Sequence, residues 1–519
     1  MNRILFFICS LYFYPTIATA QSFEEYKRQQ QEKYKSYVQK KTEEFRAYRD
    51  RVNAEYADYM RKAWTREEAQ PAKPLPKRPE PPQPVVRESI DIPHFDAIPI
   101  GDVIKPEVPD FKKPQPIIPL EELEKLVITE PEEMTEDLKP QEGVKPKEEV
   151  KPVVKPQEKV KPEGFAFNWC GQTWRVPLEV QHRFHLKSVN EADVADAWKV
   201  LSDVKYGPVV AACLRIRDSY QLPDWGYLHF LEAMANAFLP GMPNEARLLE
   251  MFILSQSGYQ VRIARRGEQL YLLVPSSGDI YGYTYLKLNG QKYYVVNKSS
   301  GRGSFYVYER DFPRAQPFMW QINKLPLLTG AGKIRSLRAK RFPEVQATVE
   351  SSMSLVEFMN GYPRCNDWNL YAAASLSDQT KKSLYPALRQ FIEGKTKKAA
   401  VDILLDFVQT AFAYQTDEQQ FGDERPLFGD ETLYYPYCDC EDRSILFSIL
   451  VNELLALDVV LLNYPEHLAT AVRIDEDVEG DYVILYGKRY VVCDPTYMGS
   501  HVGEAMPSLK NTKATIIRL

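Results

Sequence analysis

The chain of 519 residues holds only 6 histidines and 7 cysteines, and none of them sits at metal-ligand spacing with carboxylates, so no metal centre is expected. No Gly-rich phosphate loop occurs either, which leaves nucleotide chemistry without a handle, and no cofactor is implied. Lys and Arg number 66 against 71 Asp and Glu, and a net charge of −5 lacks the basic excess of a nucleic-acid binder. After the first 20 residues no apolar run approaches the roughly 18 that a membrane-spanning helix needs.

What is present divides the chain. Arg3, an apolar stretch from Ile4 to Ile17, and Ala18-Thr-Ala20 before Gln21 have the order of a secretory signal, so 1–20 is expected to be an address and the protein periplasmic or secreted. No cysteine follows that cleavage site, so no lipid anchor is expected. The remaining cysteines at 170, 213, 365, 438, 440 and 493 allow 15 pairings in an oxidising compartment, and nothing in the spacing selects one.

Residues 21–69 carry aromatic pairs at Phe23 and Tyr26, Tyr34 and Tyr37, Phe45 and Tyr48, Tyr56 and Tyr59. Each pair recurs after 11 residues (34−23, 45−34, 56−45), a period near 3.67 residues per turn that predicts one long, nearly straight helix with an aromatic stripe. Such a stripe either lies on the body of the same protein or serves protein partners or self-association. The 38 prolines are too many for one compact fold, and they concentrate at 70–163, closing with Val144-Lys-Pro, Val150-Lys-Pro, Val154-Lys-Pro and Val160-Lys-Pro. That composition favours extended polyproline II, and the segment is expected to be a disordered linker that buries no core. Two α+β modules follow, at 164–335 and 336–519, with alternating segments such as Ser304-Phe-Tyr-Val-Tyr308 and Val345-Gln-Ala-Thr-Val349 suggesting a β-rich connector.

The chemistry lies near the C-terminus. Cys440 follows a plausible N-cap, Asp439, and precedes Ile445, Leu446, Ile449, Leu450 and Leu454 at helical spacing, which places a thiol on the first turn of a helix. A helix N-terminus and a nearby imidazole favour the thiolate, the form that attacks a carbonyl. His467 opens an apolar strand and can serve as general base and acid, and Asp494, ending a later strand, can fix its tautomer. A lone helical Cys or strand-opening His is ordinarily structural; the three together, in this order, read as a catalytic triad. Cys438 and Cys493 are either redox partners of Cys440 or buried thiols. His182, His185, His229 and His501 are scattered and read as structural or surface residues.

The flanking motifs Phe412-Ala-Tyr414, Gln419-Gln-Phe-Gly-Asp423, Glu431-Thr-Leu-Tyr-Tyr-Pro-Tyr437, Asp439-Cys-Glu-Asp-Arg443, Tyr464-Pro-Glu-His467 and Asp494-Pro-Thr-Tyr497 resemble bacterial transglutaminase-like proteins over about 376–507. The resemblance implies a papain-like core, in which a helix bearing Cys440 packs on an antiparallel sheet bearing His467 and Asp494. It implies attack on a peptide or isopeptide amide through a thioester, with hydrolysis favoured over crosslinking. Oxyanion donors would be the Cys440 backbone N–H and an upstream side chain, with Tyr434, Tyr435 and Tyr437 as candidates.

A second copy of this pattern lies upstream. Asn244-Glu-Ala-Arg-Leu-Leu-Glu-Met-Phe-Ile-Leu254 parallels Cys440 to Leu450, Lys292-Tyr-Tyr-Val-Val-Asn-Lys298 parallels Lys488 to Asp494, and both intervals are 54 residues (298−244, 494−440). Ala237-Phe238 likewise echoes Ala411-Phe412. With Asn244, Tyr271 and Lys298 in place of the triad, 164–335 reads as a degenerate, non-catalytic module. A non-enzymatic periplasmic scaffold, binding protein partners through that module and the N-terminal helix, is the alternative to an enzyme.

Overall fold

A computed structural model of the chain describes residues 23–77, 83–87, 96–106, 112–125, 164–276, 278–296, 303–322 and 324–519. The expected signal at 1–20 and the Val-Lys-Pro repeats lie outside them. The architecture is mixed α+β, and its two largest sheets are each built behind a buried helix. Among the described residues no helix is long and apolar enough to cross a membrane.

The aromatic repeat forms a helix, Phe23–Met60, which stops nine residues short of the expected 69. Trp64 Nε1 bonds the Met60 carbonyl at 2.9 Å where the helix ends, and Thr65–Glu68 turns into a strand instead. The C-terminal half of the stripe lies on the first module. Tyr56 is wholly buried, its ring 5.1 Å from both Trp198 and Phe312. Asn53 is buried one turn earlier and accepts from Trp198 Nε1 and Gln256 Nε2. Toward the N-terminus the same stripe is bare: Tyr26, Tyr34 and Tyr37 are 54%, 69% and 60% exposed.

The two main sheets share one connectivity. In the first module, helix Pro243–Gln256 is followed by strands Arg262–Arg266, Gln269–Ser276, Tyr285–Leu288, Gln291–Val295 and Ser304–Val307. In the second, helix Cys440–Leu455 is followed by Val459–Asn463, Leu468–Val472, Tyr482–Leu485, Lys488–Cys493 and Ala514–Arg518. Numbered from the helix, the strands lie in the spatial order fifth, first, second, fourth, third in both sheets. Ser304–Val307 is therefore the fifth strand of the first sheet rather than part of a connector. Gln346–Ser352 does lie between the two main sheets in chain order, paired with Gly332–Arg338 in a separate two-stranded sheet. Residues 245–256 and 440–451 are buried without interruption, so each helix is covered on every side, the condition for an all-round apolar helix in a large core.

Each sheet gains a sixth strand from the chain upstream of the modules, the first from just after the long helix and the second from the proline-rich region. Thr65–Glu68 pairs antiparallel with Ser304–Val307, and Ile100–Ile104 pairs parallel with Ala514–Arg518. The expectation of a core-free linker is thus corrected for its described parts. Gln70 pairs with Tyr285, Lys77 bridges to Glu418, residues 85–87 bond Met498, and Ile98 is buried on the second sheet. The chain then returns to the first module, where Pro114 accepts from the buried Arg217 and Ile117 and Ile118 are buried. Gly258 permits that return: at φ +90° it lies so close to the strap that a Cβ would fall 2.1 Å from the Gln115 carbonyl oxygen. The error has a physical cause. Proline removes its own N–H, but the residues between prolines keep theirs, and an extended chain already fits a sheet edge.

The two halves of the N-terminal helix should respond differently to truncation. Tyr56→Ala is expected to cost about 3–5 kcal/mol, as for loss of a large buried ring, and Tyr34→Ala to stay within about 0.5 kcal/mol. Thermal melts of the full chain check this; equal effects would contradict the placement of the stripe.

Candidate functional site

Helix Cys440–Leu455 begins where the sequence places it. The Asp439 backbone N–H reaches the Asp442 carboxylate at 3.4 Å, reciprocating the cap, and Cys440 occupies the first helical position. The thiol is 1% exposed. His467 directly precedes strand Leu468–Val472, which pairs with Lys488–Cys493 so that Thr470 faces Cys493. That register makes Asp494 a diagonal neighbour of His467, within reach of its ring. Asp494 Oδ2 lies 2.9 Å from His467 Nε2, and Oδ1 accepts from the N–H groups of Thr496 and Tyr497. Helix and sheet meet at the sulfur: the Leu468 N–H, next in chain to the histidine, donates to Cys440 Sγ at 3.4 Å. The structure thus brings the three expected residues to one place, with Asp494 on Nε2, which leaves Nδ1 as the ring nitrogen for proton exchange with a thiol.

A second contact opposes thiolate formation. Cys440 Sγ donates to Glu441 Oε2 at 3.1 Å, and Glu441 is wholly buried. Around it stand further buried acids that the sequence did not group. Asp417, Glu424 and Glu441, and likewise Asp417, Asp439 and Asp442, bring carboxylate oxygens within 4.8 Å of one another. Asp417 opens a short helix, Asp417–Phe421, and Glu424 follows it, both upstream of the cysteine helix, which is why no short-range spacing betrays the group. Burial, with Asp442 and Glu441 adding repulsion, holds the Asp417 carboxyl far above the ordinary carboxylate range; burial and Glu441 raise Asp442 as well.

The remaining candidates separate cleanly. None of the six described cysteines is in a disulfide. Cys438 accepts from Arg443 Nε at 3.4 Å, and burial pushes its thiol up to about 11. Cys493 is buried and bonds the Val491 carbonyl; both are buried thiols. Tyr435 Oη donates to Asn360, Tyr434 lies 4.3 Å beneath Lys333, and Tyr437 is 40% exposed in a two-residue strand. No contact singles out one of the three as an oxyanion donor. His182 bonds the Glu179 N–H and sits 3.1 Å from the Lys205 carbonyl, while His185 and His501 face Glu245 and Asp402.

The upstream copy is aligned by the same contact and not by residue counting. Leu270 N–H donates to Asn244 Oδ1 at 2.9 Å, as Leu468 N–H does to Cys440 Sγ. Asn244 therefore stands at the nucleophile position as expected. The histidine position is Gln269 rather than Tyr271, because the turn between the first two strands has two residues (267–268) where the second module has four (464–467). Val296 lies opposite Leu272 as Cys493 lies opposite Thr470, which moves the aspartate position from Lys298 to 297; both lie outside the described residues. Two features that the sequence left unweighed recur in both modules: Glu245 and Arg247 are buried in the first, Glu441 and Arg443 in the second.

The acid cluster sets a pH dependence. A carboxyl whose folded pKa is raised keeps in the native state a proton that the unfolded chain gives up, so its stabilising effect is complete below the ordinary carboxylate range and is lost as pH rises toward the folded value. Each such group costs at most about 1.4 kcal/mol per pH unit in that window. Asp417→Asn, which copies the protonated acid, is expected to flatten the fall of Tm between about pH 6 and pH 9; parallel slopes for wild type and variant would refute the assignment.

No family model matches this chain, and no curated protein or solved structure matches it either.

Proposed function

We propose that the second module is a transglutaminase-like cysteine enzyme in which Cys440 is the nucleophile, His467 the general base and acid, and Asp494 the residue that fixes the imidazole. The observation carrying this reading is the meeting of the His467–Asp494 pair, at 2.9 Å, with a sulfur at a helix N-terminus that takes the Leu468 N–H. His467 accepts the thiol proton, the thiolate adds to an amide carbonyl, and the Cys440 backbone N–H supports the developing oxyanion. The C–N bond then breaks, His467 returns the proton to the leaving amine, and a thioester remains. Water, deprotonated by His467, attacks the thioester to release a carboxylic acid and the free thiol. Hydrolysis is favoured over crosslinking because it requires no second amine site. The first module, with the same strand order and Asn244 and Gln269 at the nucleophile and histidine positions, serves packing or partner binding. The proposed setting is the periplasm or the exterior, reached through the N-terminal signal.

One observation favours the alternative of a non-catalytic scaffold. Cys440 is 1% exposed, and its hydrogen points to Glu441. Mass spectrometry of the full chain incubated with a peptide library and a tagged amine separates the readings. The enzyme reading expects Cys440-dependent cleavage products or amine adducts, lost in Cys440→Ala and reduced about 10²–10⁴-fold in His467→Ala. Products unchanged in Cys440→Ala, or none together with a Cys440 inert to iodoacetamide at neutral pH, favour the scaffold.

A further inference from the structure

We propose that Gln409 is a positioning residue for Asp494, and through it for His467; the inference rests on the cysteine-enzyme reading above. Gln409, on helix Lys397–Thr410, is wholly buried, and its amide serves one loop. Nε2 donates to the carbonyl oxygens of Asp494 at 3.0 Å and Tyr497 at 2.9 Å and to the Ser500 hydroxyl at 2.9 Å, while Oε1 accepts from the Gly499 N–H at 3.3 Å. The turn that follows the catalytic aspartate is wound around a single side chain. Only an amide supplies donor and strong acceptor together here: glutamate would turn acceptors toward carbonyl oxygens, and methionine would offer no donor and only a weak acceptor.

The backbone of the same residue reaches the nucleophile's helix. The Gln409 carbonyl accepts from Arg443 Nη1 at 3.1 Å, and Arg443 lies three residues beyond Cys440. Arg443 is itself wholly buried and spends its other donors on the Phe412 carbonyl, Cys438 Sγ and Met498 Sδ. One residue therefore holds the aspartate loop by its side chain and the cysteine helix by its main chain. It sets the distance between them without touching thiol, imidazole or carboxylate.

The upstream module separates what the fold needs from what the site needs. It keeps Arg247 where the second module has Arg443, clamped there to Glu250 and Asn236. When Ala237-Phe238 is laid on Ala411-Phe412, Ala235 occupies the place of Gln409. The buried arginine recurs in a module without nucleophile or histidine, held there by side chains (Glu250, Asn236 and Glu232) instead of a main-chain carbonyl, and the glutamine is gone. That is the pattern of a residue whose task is to aim Asp494 rather than to hold the helix.

The test measures alkylation of Cys440 by iodoacetamide in the full chain across pH, resolved by peptide mass spectrometry, in wild type, His467→Ala, Gln409→Met, Ser500→Ala and the His467→Ala/Gln409→Met double variant. Gln409→Met is expected to lower the neutral-pH rate by about tenfold or more and to move the profile to higher pH. Ser500→Ala, with an unchanged melt, should move it less in the same direction, and the double variant should equal His467→Ala, because Gln409 acts through the imidazole. A wild-type profile in Gln409→Met overturns the inference, as does full additivity in the double variant. Should Gln409→Met not fold, Ser500→Ala decides, and an unshifted profile there is equally fatal. A His467→Ala profile identical to wild type would instead remove the enzyme reading on which the inference stands.

Discussion

The contact on which the candidate site depends is a backbone N–H at the start of one strand reaching the first side chain of the buried helix. In the second module it joins Leu468 to Cys440 Sγ, and in the first it joins Leu270 to Asn244 Oδ1. The helix N-terminus carries unsatisfied N–H groups and a positive field, so what faces it must be polar or anionic. A strand that begins there delivers its preceding residue to the same spot. In one module that residue is His467, in the other Gln269. The fold supplies the geometry in both; only the Cys440 and His467 side chains can pass a proton between them.

Charge in this interior is managed by crowding rather than by simple pairing. Arg443, wholly buried, bonds carbonyls and sulfurs, while Asp417, Asp439, Glu441 and Asp442 stand close by in the same dry region. Carboxylates at such distances cannot all ionise, and raised values for Asp417 and Asp442 follow from burial first and mutual repulsion second. The Cys440 proton on Glu441 belongs to this network. In the proposed mechanism the proton leaves this carboxylate contact for the imidazole, which makes the placement of Asp494 and His467 decisive.

Much of this was legible in the sequence, and the failures have identifiable causes. The cysteine helix was readable because Asp439 caps it and the apolar residues recur behind it; the His467 and Asp494 strands were readable from their continuous apolar runs. The shared strand order was foreshadowed by matched 54-residue intervals, yet the same counting misplaced Tyr271 and Lys298, since the first hairpin is two residues shorter than its counterpart and the stretch beyond it one residue longer (297−269 is 28, 494−467 is 27). The aromatic repeat gave the helix but not its end at Met60, which Trp64 sets from outside the period. The proline-rich strap was misread as free because composition reports what a segment cannot bury alone, not what a neighbouring sheet edge offers it. Gln409 left no signal at all: its partners lie 85 to 91 residues away in the chain.

The central claim is that Cys440 and His467 form a functional acid–base pair fixed by Asp494. Ultraviolet thiolate absorbance of the intact protein, followed across pH in wild type, His467→Ala and Cys440→Ala, measures it most directly. The account predicts that the thiolate signal abolished in Cys440→Ala appears at lower pH in the wild type than in His467→Ala. Absorbance identical in wild type and His467→Ala would contradict it.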